Sequence, residues 1–359
     1  MAESLLRGLR VLDLSLWQPG HYASQLLADL GAEVIKVEPP GGDRMRPMID
    51  RFVNFNGRKS SVVLNLKLES DREAFLDLVR GAEVVLEGYR PGVLDRLGIG
   101  FAALRAVNPS IVLCSISGFG QDGPLSGVPG HDANYQAYAG AMTVRDGHEP
   151  VPSALLIADQ SSGLAAAFAI LASVMGARRT GEAEHVDVSM TDLLATWVAP
   201  LGPVDERREE SAATPGHQSP GMGTYATADG QWVVLGVFSE DHFWRELCLA
   251  LGLGAFADLS TAERSDRHDE VRPLLAAAIS TFTQQDLLTL LNARAVPVAP
   301  VLTKAQMLQE EHFRVRGILV EEGPDGFRSL GHPIRFREHP ALPPGAPPEL
   351  PTHAPSAAT

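Results

Sequence analysis

Short apolar runs, each closed by glycine, proline or polar residues, recur through the first half of the chain. Residues 10–14 read as a short buried strand, 22–30 as a helix and 33–38 as a second strand. A strand–helix–strand unit of this length implies a right-handed parallel crossover. Residues 62–66, 83–87 and 111–116 continue the strands, with a helix over 71–80 that Ser70 would cap. The strands run into glycine-containing loops at 15–21, 88–92 and 117–124. Ligands of open α/β sheets gather beyond the carboxyl ends of strands, so these loops are binding candidates.

After Gly130 the pattern turns helical. Residues 159–175 are almost all apolar and rich in alanine, which suits a helix buried on most sides, and 184–189 read as a strand. Residues 201–221, rich in proline, glycine and charge, read as a linker. Beyond it, runs at 224–228 and 232–237 flank Asp229-Gly230, a strong hairpin signal. Helices are expected over 241–252, 269–280 and 284–293, then a strand at 297–302 and a helix to about 311. Residues 318–337 hold a further hairpin around Pro324-Asp325-Gly326, and 341–359, rich in proline and alanine, read as a flexible tail. The fold class is therefore α/β. A Rossmann-like large domain with a parallel sheet is expected over 1–200, completed by 315–340, with a smaller α+β domain over 222–310.

Composition adds bounds to this picture. A chain of 359 residues exceeds the usual single-core size, and 45% hydrophobic with 21% charged residues is ordinary for a globular enzyme. No apolar run reaches the 18 or so residues of a membrane span, and the first 15 residues lack signal-peptide features. Cys114 and Cys248 form neither a disulfide framework nor a metal-ligand spacing. A cytoplasmic protein without a membrane or metal partner is the expectation.

The net charge of -14 argues against nucleic acid. Yet Lys36, Arg44, Arg46, Arg51, Arg58, Lys59 and Lys67 face only Glu38, Asp43 and Asp50 in the same window. Such a basic island suits an anionic small ligand, and equally a solvated loop with scattered arginines. NAD fits poorly: Glu38 stands where a dinucleotide fold places its ribose-binding acid, but the turn at 15–21 has one glycine and no G-x-G-x-x-G.

Three titratable residues stand out. In Gly130-His131-Asp132-Ala133-Asn134-Tyr135-Gln136-Ala137-Tyr138-Ala139-Gly140, Asp132 can cap a helix and place His131 at the positive end of its dipole. That field favours a neutral imidazole, although isolated histidines are often merely structural. Asp159 reads as the N-cap of the long helix, a position that also favours its ionised form. Glu240, at the start of a helix in the second domain, has an ordinary structural reading as an acid of the first turn.

The stretch from Gly130 to Gly140 resembles the family III CoA transferases (CaiB/BaiF), and specifically their alpha-methylacyl-CoA racemase branch. Leu156-Ile157-Ala158-Asp159 is similar to the place of the catalytic aspartate. Glu240, followed by Phe243-Trp244, is similar to a small-domain glutamate that pairs with the histidine. Val34 to Glu38, Glu87-Gly88-Tyr89-Arg90-Pro91-Gly92 with Arg96-Leu97-Gly98, and Ser117-Gly118-Phe119-Gly120 resemble CoA-binding segments. The resemblance spans roughly residues 8–340, and the joint order of its motifs carries more than any one of them.

What it implies is chemically coherent. Inverting the carbon beside a thioester needs bases on two faces, His131 and Asp159, with Glu240 orienting the imidazole. Backbone N–H groups would stabilise the enolate oxygen. Coenzyme A would enter as part of the acyl-CoA substrate rather than as a resident cofactor. Lys36, Arg58, Gly88, Tyr89, Arg90, Arg96, Gly118 and Gly120 would meet it. The family also implies an interlocked homodimer in which Glu240 comes from the other chain.

Gln18 and His21 depart from the racemase pattern, and a glutamine near this point is familiar from the transferases. In those enzymes the residue matching Asp159 forms an acyl anhydride. His131, and the lack of a glycine run in the small domain, favour the racemase. A non-catalytic acyl-CoA or nucleotide binder would keep the basic island and lose the bases, and here the bases are present.

Overall fold

The reversal of strand order at the middle of one parallel sheet positions everything that follows. The computed structural model describes residues 4–143, 148–199, 219–320 and 329–351. They divide into two compact units, one holding the chain to 143, 150–199 and 311 onward, the other chiefly 219–310. In the larger unit, β1 (Arg10–Asp13), β2 (Glu33–Glu38), β3 (Ser60–Val63), β4 (Val84–Glu87), β5 (Val112–Ser117) and β6 (Glu184–Ser189) lie in the order β3-β2-β1-β4-β5-β6. Every neighbouring pair is parallel. This is the doubly wound order, in which the chain leaves β1 on one side and resumes at β4 on the other, so a crevice opens beyond their carboxyl ends. Helices cover both faces, which explains why β4 and β5 are buried at every position.

Among the described residues, eight helices belong to the sheet's surroundings: α1 (Gln18–Asp29), α2 (Ile49–Asn56), α3 (Glu69–Arg80), α4 (Val93–Arg96), α5 (Phe101–Val107), α6 (Asp132–Tyr138), α7 (Ile157–Thr180) and α8 (Met190–Val198). α1 and α7 pack closely because α7 presents small residues there. A β-carbon on Gly163 would lie 2.6 Å from the Pro19 carbonyl oxygen, and Ala23, Ala166 and Ala167 are buried in the same cluster. α7 is long and apolar enough to cross a membrane by length and composition, contrary to the expectation that no stretch is. Its buried face, from Ala166 to Ala177, packs into the core formed by α1 and the sheet.

Several boundaries differ from expectation. α1 starts at Gln18, not Tyr22, because Pro19 sits in the first turn, where a missing N–H costs nothing. Leu68, not Ser70, precedes α3. The N-cap of α6 is His131, and that of α7 is Leu156, so Asp132 and Asp159 lie inside first turns rather than at caps. The proline-rich tail is tied down as far as it is described. The Leu342 N–H donates to Asp29 O at 2.7 Å, Arg58 N–H to Ala346 O at 2.9 Å, and Arg46 Nη1 to Pro348 O at 3.1 Å. Backbone bonds of this kind need no apolar side chains, which is why composition missed them.

The smaller unit has a three-stranded antiparallel sheet, β7 (Met222–Ala226), β8 (Trp232–Gly236) and β9 (Val298–Pro300). The first two are joined at Asp229-Gly230, with Gly230 at φ 73°. α9 (Asp241–Ala250), α10 (Thr261–Asp266), α11 (His268–Ile279), α12 (Gln284–Asn292) and α13 (Lys304–Met307) complete it around buried Trp244, Leu247, Leu275, Leu287 and Leu291. α14 (Glu311–Val315) belongs to the larger unit, as do β10 (Leu319–Val320) and β11 (Ser329–Leu330), which pair antiparallel. The expected turn at Pro324-Asp325-Gly326 and nearly all of the expected linker lie outside the described residues.

Candidate active site

A cleft of about 720 Å³ opens at the switch between β1 and β4. Its walls are the strand-end segments: Ser15 and Gln18 after β1, Gly88 to Pro91 after β4, and Ser117 and Gly118 after β5. His131, Asp132 and Asp159 complete it from the starts of α6 and α7. The first turns of α1, α6 and α7 therefore all border one space, and helix N-termini favour negative charge. Tyr135 seals the floor between two glycines: a β-carbon on Gly118 would lie 2.3 Å from its ring, and one on Gly130 2.7 Å. No other residue fits at either position without moving that ring.

Asp132 joins the two candidate bases. It is 5% exposed, its Oδ1 accepts from the Asp159 N–H at 3.0 Å, and its Oδ2 accepts from Gln136 Nε2. Gln136 Oε1 accepts from the Ser153 N–H at 2.8 Å, so the segment before α7 is anchored as well. His131 holds the start of α6: its N–H donates to Asn134 Oδ1 at 2.9 Å. Its ring meets Trp17 edge-on, with centroids 6.3 Å apart and planes at 84°. Sequence reading took Asp132 for a cap and missed the bridge, whose two ends lie 27 residues apart.

Asp159 departs from the expected ionised state. Burial, and then the like charge of Asp132, push its carboxyl up to about 7, against the opposing pull of Arg51. The favourable helix start does not offset desolvation here. Asp132→Asn keeps the oxygen that faces the Asp159 N–H and removes the charge. Carbon-13 titration of the Asp159 carboxyl is expected to give a pKa below the wild-type value. An unchanged or higher value would mean that burial acts alone.

The basic island is not one surface. Lys36 is fully buried, with Nζ 2.7 Å from Asp43 Oδ2, 3.0 Å from Ser15 O and 2.7 Å from His21 Nε2. Lys59 is 5% exposed and contacts Asp13, Ser24 and Asn56. Burial and then Lys36 lower the His21 pKa, which keeps the ring neutral among these charges. Asp43 also accepts from the Met45 N–H at 2.7 Å, so the cluster fixes the loop carrying Arg44 and Met45 into the cleft wall. Arg46 pairs with Glu38, and Arg58 donates to the Pro343 carbonyl. Lys36 thus has no face toward a ligand, which overturns its reading as a CoA contact.

Among the other expected contacts, Gly88, Tyr89, Arg90 and Gly118 line the cleft, whereas Arg58, Arg96 and Gly120 do not. Arg44 and Arg51 line it as well. Glu240 lies in the smaller unit as the N-cap of α9, where its Oε2 accepts from the N–H groups of Phe238 at 3.2 Å and Ser239 at 3.1 Å. Among the described residues, no group of three or more His, Cys, Asp or Glu is placed to hold a metal ion.

A doubly wound sheet whose switch point opens into a cleft lined by Arg44, Arg51 and Arg90, with a carboxyl raised to about 7 among them, has the form of an α/β enzyme site. More particularly, the chain belongs to CoA-transferase family III, whose model matches residues 6–354. The acetyl-CoA:oxalate CoA-transferase of Acetobacter aceti is 33% identical over 95% of this chain and 92% of that one. The alpha-methylacyl-CoA racemase of Homo sapiens is 30% identical over 88% and 82%. Among solved structures, a CAIB/BAIF family protein from Brucella suis matches with a TM-score of 0.83 at 29% identity, covering 97% of both chains. The hypothetical protein Rv3272 from Mycobacterium tuberculosis matches at 0.85 and 30%, also covering 97% of both. The relatives include both transferases and a racemase, so membership alone defines the coarser activity, an enzyme of family III.

Proposed function

We propose that the protein inverts the α-carbon of 2-methyl-branched acyl-CoA thioesters by moving a proton between His131 and Asp159. The observation that carries this reading is a cleft lined by both groups, with the Asp159 pKa at about 7. A two-base epimerisation needs one base free and the other protonated at the start, and the reverse at the end. A carboxyl half-protonated near neutrality serves either role, whereas one at the ordinary 3.8 would hold almost no proton to return. One base takes the α-proton, and the electron pair moves onto the thioester oxygen as an enolate. The conjugate acid of the other base then delivers its proton to the opposite face. Backbone N–H groups at the helix starts bordering the cleft favour the enolate charge. Arg44 and Arg90 supply cations for the phosphate-bearing end of CoA.

A second reading, CoA transfer through an acyl anhydride on Asp159, has its own support. Gln18 lines the cleft, and the 33%-identical relatives are transferases. Incubation of one epimer of a 2-methylacyl-CoA in deuterium oxide, without an acceptor acid, separates the two. The expected result is deuterium at the α-carbon as the other epimer accumulates. No exchange, with CoA instead moving onto an added carboxylic acid, would replace epimerisation by transfer.

The proposal extends to a homodimer. Leu164, Phe168 and Met175 are exposed at i, i+4 and i+11 along α7, and an apolar stripe of that kind suits burial against protein. Light scattering is expected to give twice the chain mass. A monomer with full activity would end this part of the reading.

A further inference from the structure

The proton transfer makes no use of His21, which is fully buried at the end of the first turn of α1. Its neighbours settle which ring nitrogen carries the proton. Lys36 Nζ lies 2.7 Å from His21 Nε2, 2.7 Å from Asp43 Oδ2 and 3.0 Å from Ser15 O. An ammonium has three N–H donors and no acceptor, so these partners use all three and Nε2 accepts. In the neutral ring the proton then sits on Nδ1, which lies 3.1 Å from the Met45 sulfur. Sulfur is a weak acceptor, but among the described residues it is the partner within reach of this buried N–H. Lys36 alone would explain a polar side chain here, but not this one: a glutamine would accept from Lys36 too and would bring no ring N–H to the sulfur.

Met45 is therefore held at both ends. Its N–H donates to Asp43 Oδ1 at 2.7 Å and its sulfur accepts from His21, and the residue lines the cleft. Methionine is ordinarily the most adaptable of apolar side chains, able to shift aside for a neighbour. Here that freedom is withdrawn close to the reacting groups. The His21 N–H donates to the Trp17 carbonyl one helical turn back, and the Trp17 ring meets His131.

We propose that His21 is a positioning residue that makes the cleft selective for the bulk of the acyl group. Its Nδ1–H holds the Met45 sulfur, and the wall so fixed does not yield to a larger branch beside the thioester. A larger branch must break the N–H···S bond and leave the ring N–H buried without a partner. The inference rests on the proposed function only in taking acyl-CoA as the ligand, and it holds for epimerisation and transfer alike.

The test uses unreactive CoA thioethers in which CH2 replaces the thioester carbonyl and the next carbon bears a methyl or a propyl branch. Both are titrated calorimetrically into wild type, His21→Gln, Met45→Leu and the double variant. Wild type is expected to bind the methyl-branched ligand about 10-fold more tightly. His21→Gln should cut that preference to about twofold, chiefly by improving the binding of the propyl ligand. In Met45→Leu, which has no sulfur to hold, adding His21→Gln should leave the preference unchanged. No preference in wild type overturns the inference. So does an equal effect of His21→Gln with and without the sulfur, which would show that His21 acts by moving the whole loop. Wild type also supplies a reading that needs no variant: nitrogen-15 shifts of the His21 ring are expected to show a neutral ring protonated on Nδ1. A proton on Nε2, or on both nitrogens, removes the bond and the inference with it. Absence of α-exchange in deuterium oxide, by contrast, would remove the epimerase reading and leave these results standing.

Discussion

His131→Ala is expected to lower α-deuterium incorporation into a 2-methylacyl-CoA by about 10²- to 10⁴-fold, the usual range for a general base. KM should change little, because the ring acts on the α-proton in the transition state and not on the CoA portion. The substitution is structurally mild. The helix start is held by the His131 backbone N–H on Asn134 and by Asp132, neither of which the change removes. The side chain itself is exposed in the cleft wall with one edge-on contact to Trp17. Asp159→Ala would abolish activity under epimerisation and transfer alike, so it does not discriminate. His131→Ala does: a variant that moves CoA between carboxylic acids at the wild-type rate, with α-exchange absent in both proteins, would sink the two-base mechanism. The measurement is proton NMR of the α-methyl signal, which collapses from a doublet as deuterium replaces its neighbour.

The parts of this architecture that depend on local pattern were legible in the sequence, and those that depend on distant partners were not. Apolar runs at β1, β2, β4 and β5 announced a parallel sheet, and their glycine loops marked the cleft, because strand period and turn chemistry are local properties. The start of α1 at Gln18 was missed, with Tyr22 expected instead, although proline is favoured in a first turn. Lys36 is different. Nothing around it signals that Asp43 and His21 enclose it, and an isolated lysine in a basic stretch reads as a ligand contact. The same holds for the tail, where Leu342 and Ala346 dock through backbone groups that carry no side-chain signature. Asp159 lines the cleft, but the protonation of its carboxyl could not be read from the sequence. Its pKa follows from burial and from Asp132, brought near by the packing of α6 beside α7.

That perturbed carboxyl has a cost in stability, and Asp159→Asn should reveal it. The group titrates at about 7 in the folded chain, against 3.8 for an ordinary aspartate. Between those values the folded protein holds a proton that the unfolded chain has released. Stability therefore falls as pH rises from about 4 to 7 and is level above that. A gap of about 3 units corresponds to at most about 4 kcal/mol, less whatever solvent reaching the cleft screens away. Asparagine cannot ionise, so Asp159→Asn is expected to be more stable than wild type at pH 8. The advantage should shrink steadily toward pH 4. Glu87, which burial pushes up to about 7 and which the substitution leaves in place, contributes the same slope to both proteins and cancels in the difference. Urea unfolding at pH 5 and pH 8 measures that difference directly. A gain that is the same at both pH values would show that Asp159 is ionised normally in the folded cleft. The proton-shuttling role assigned to it would then lose its physical basis.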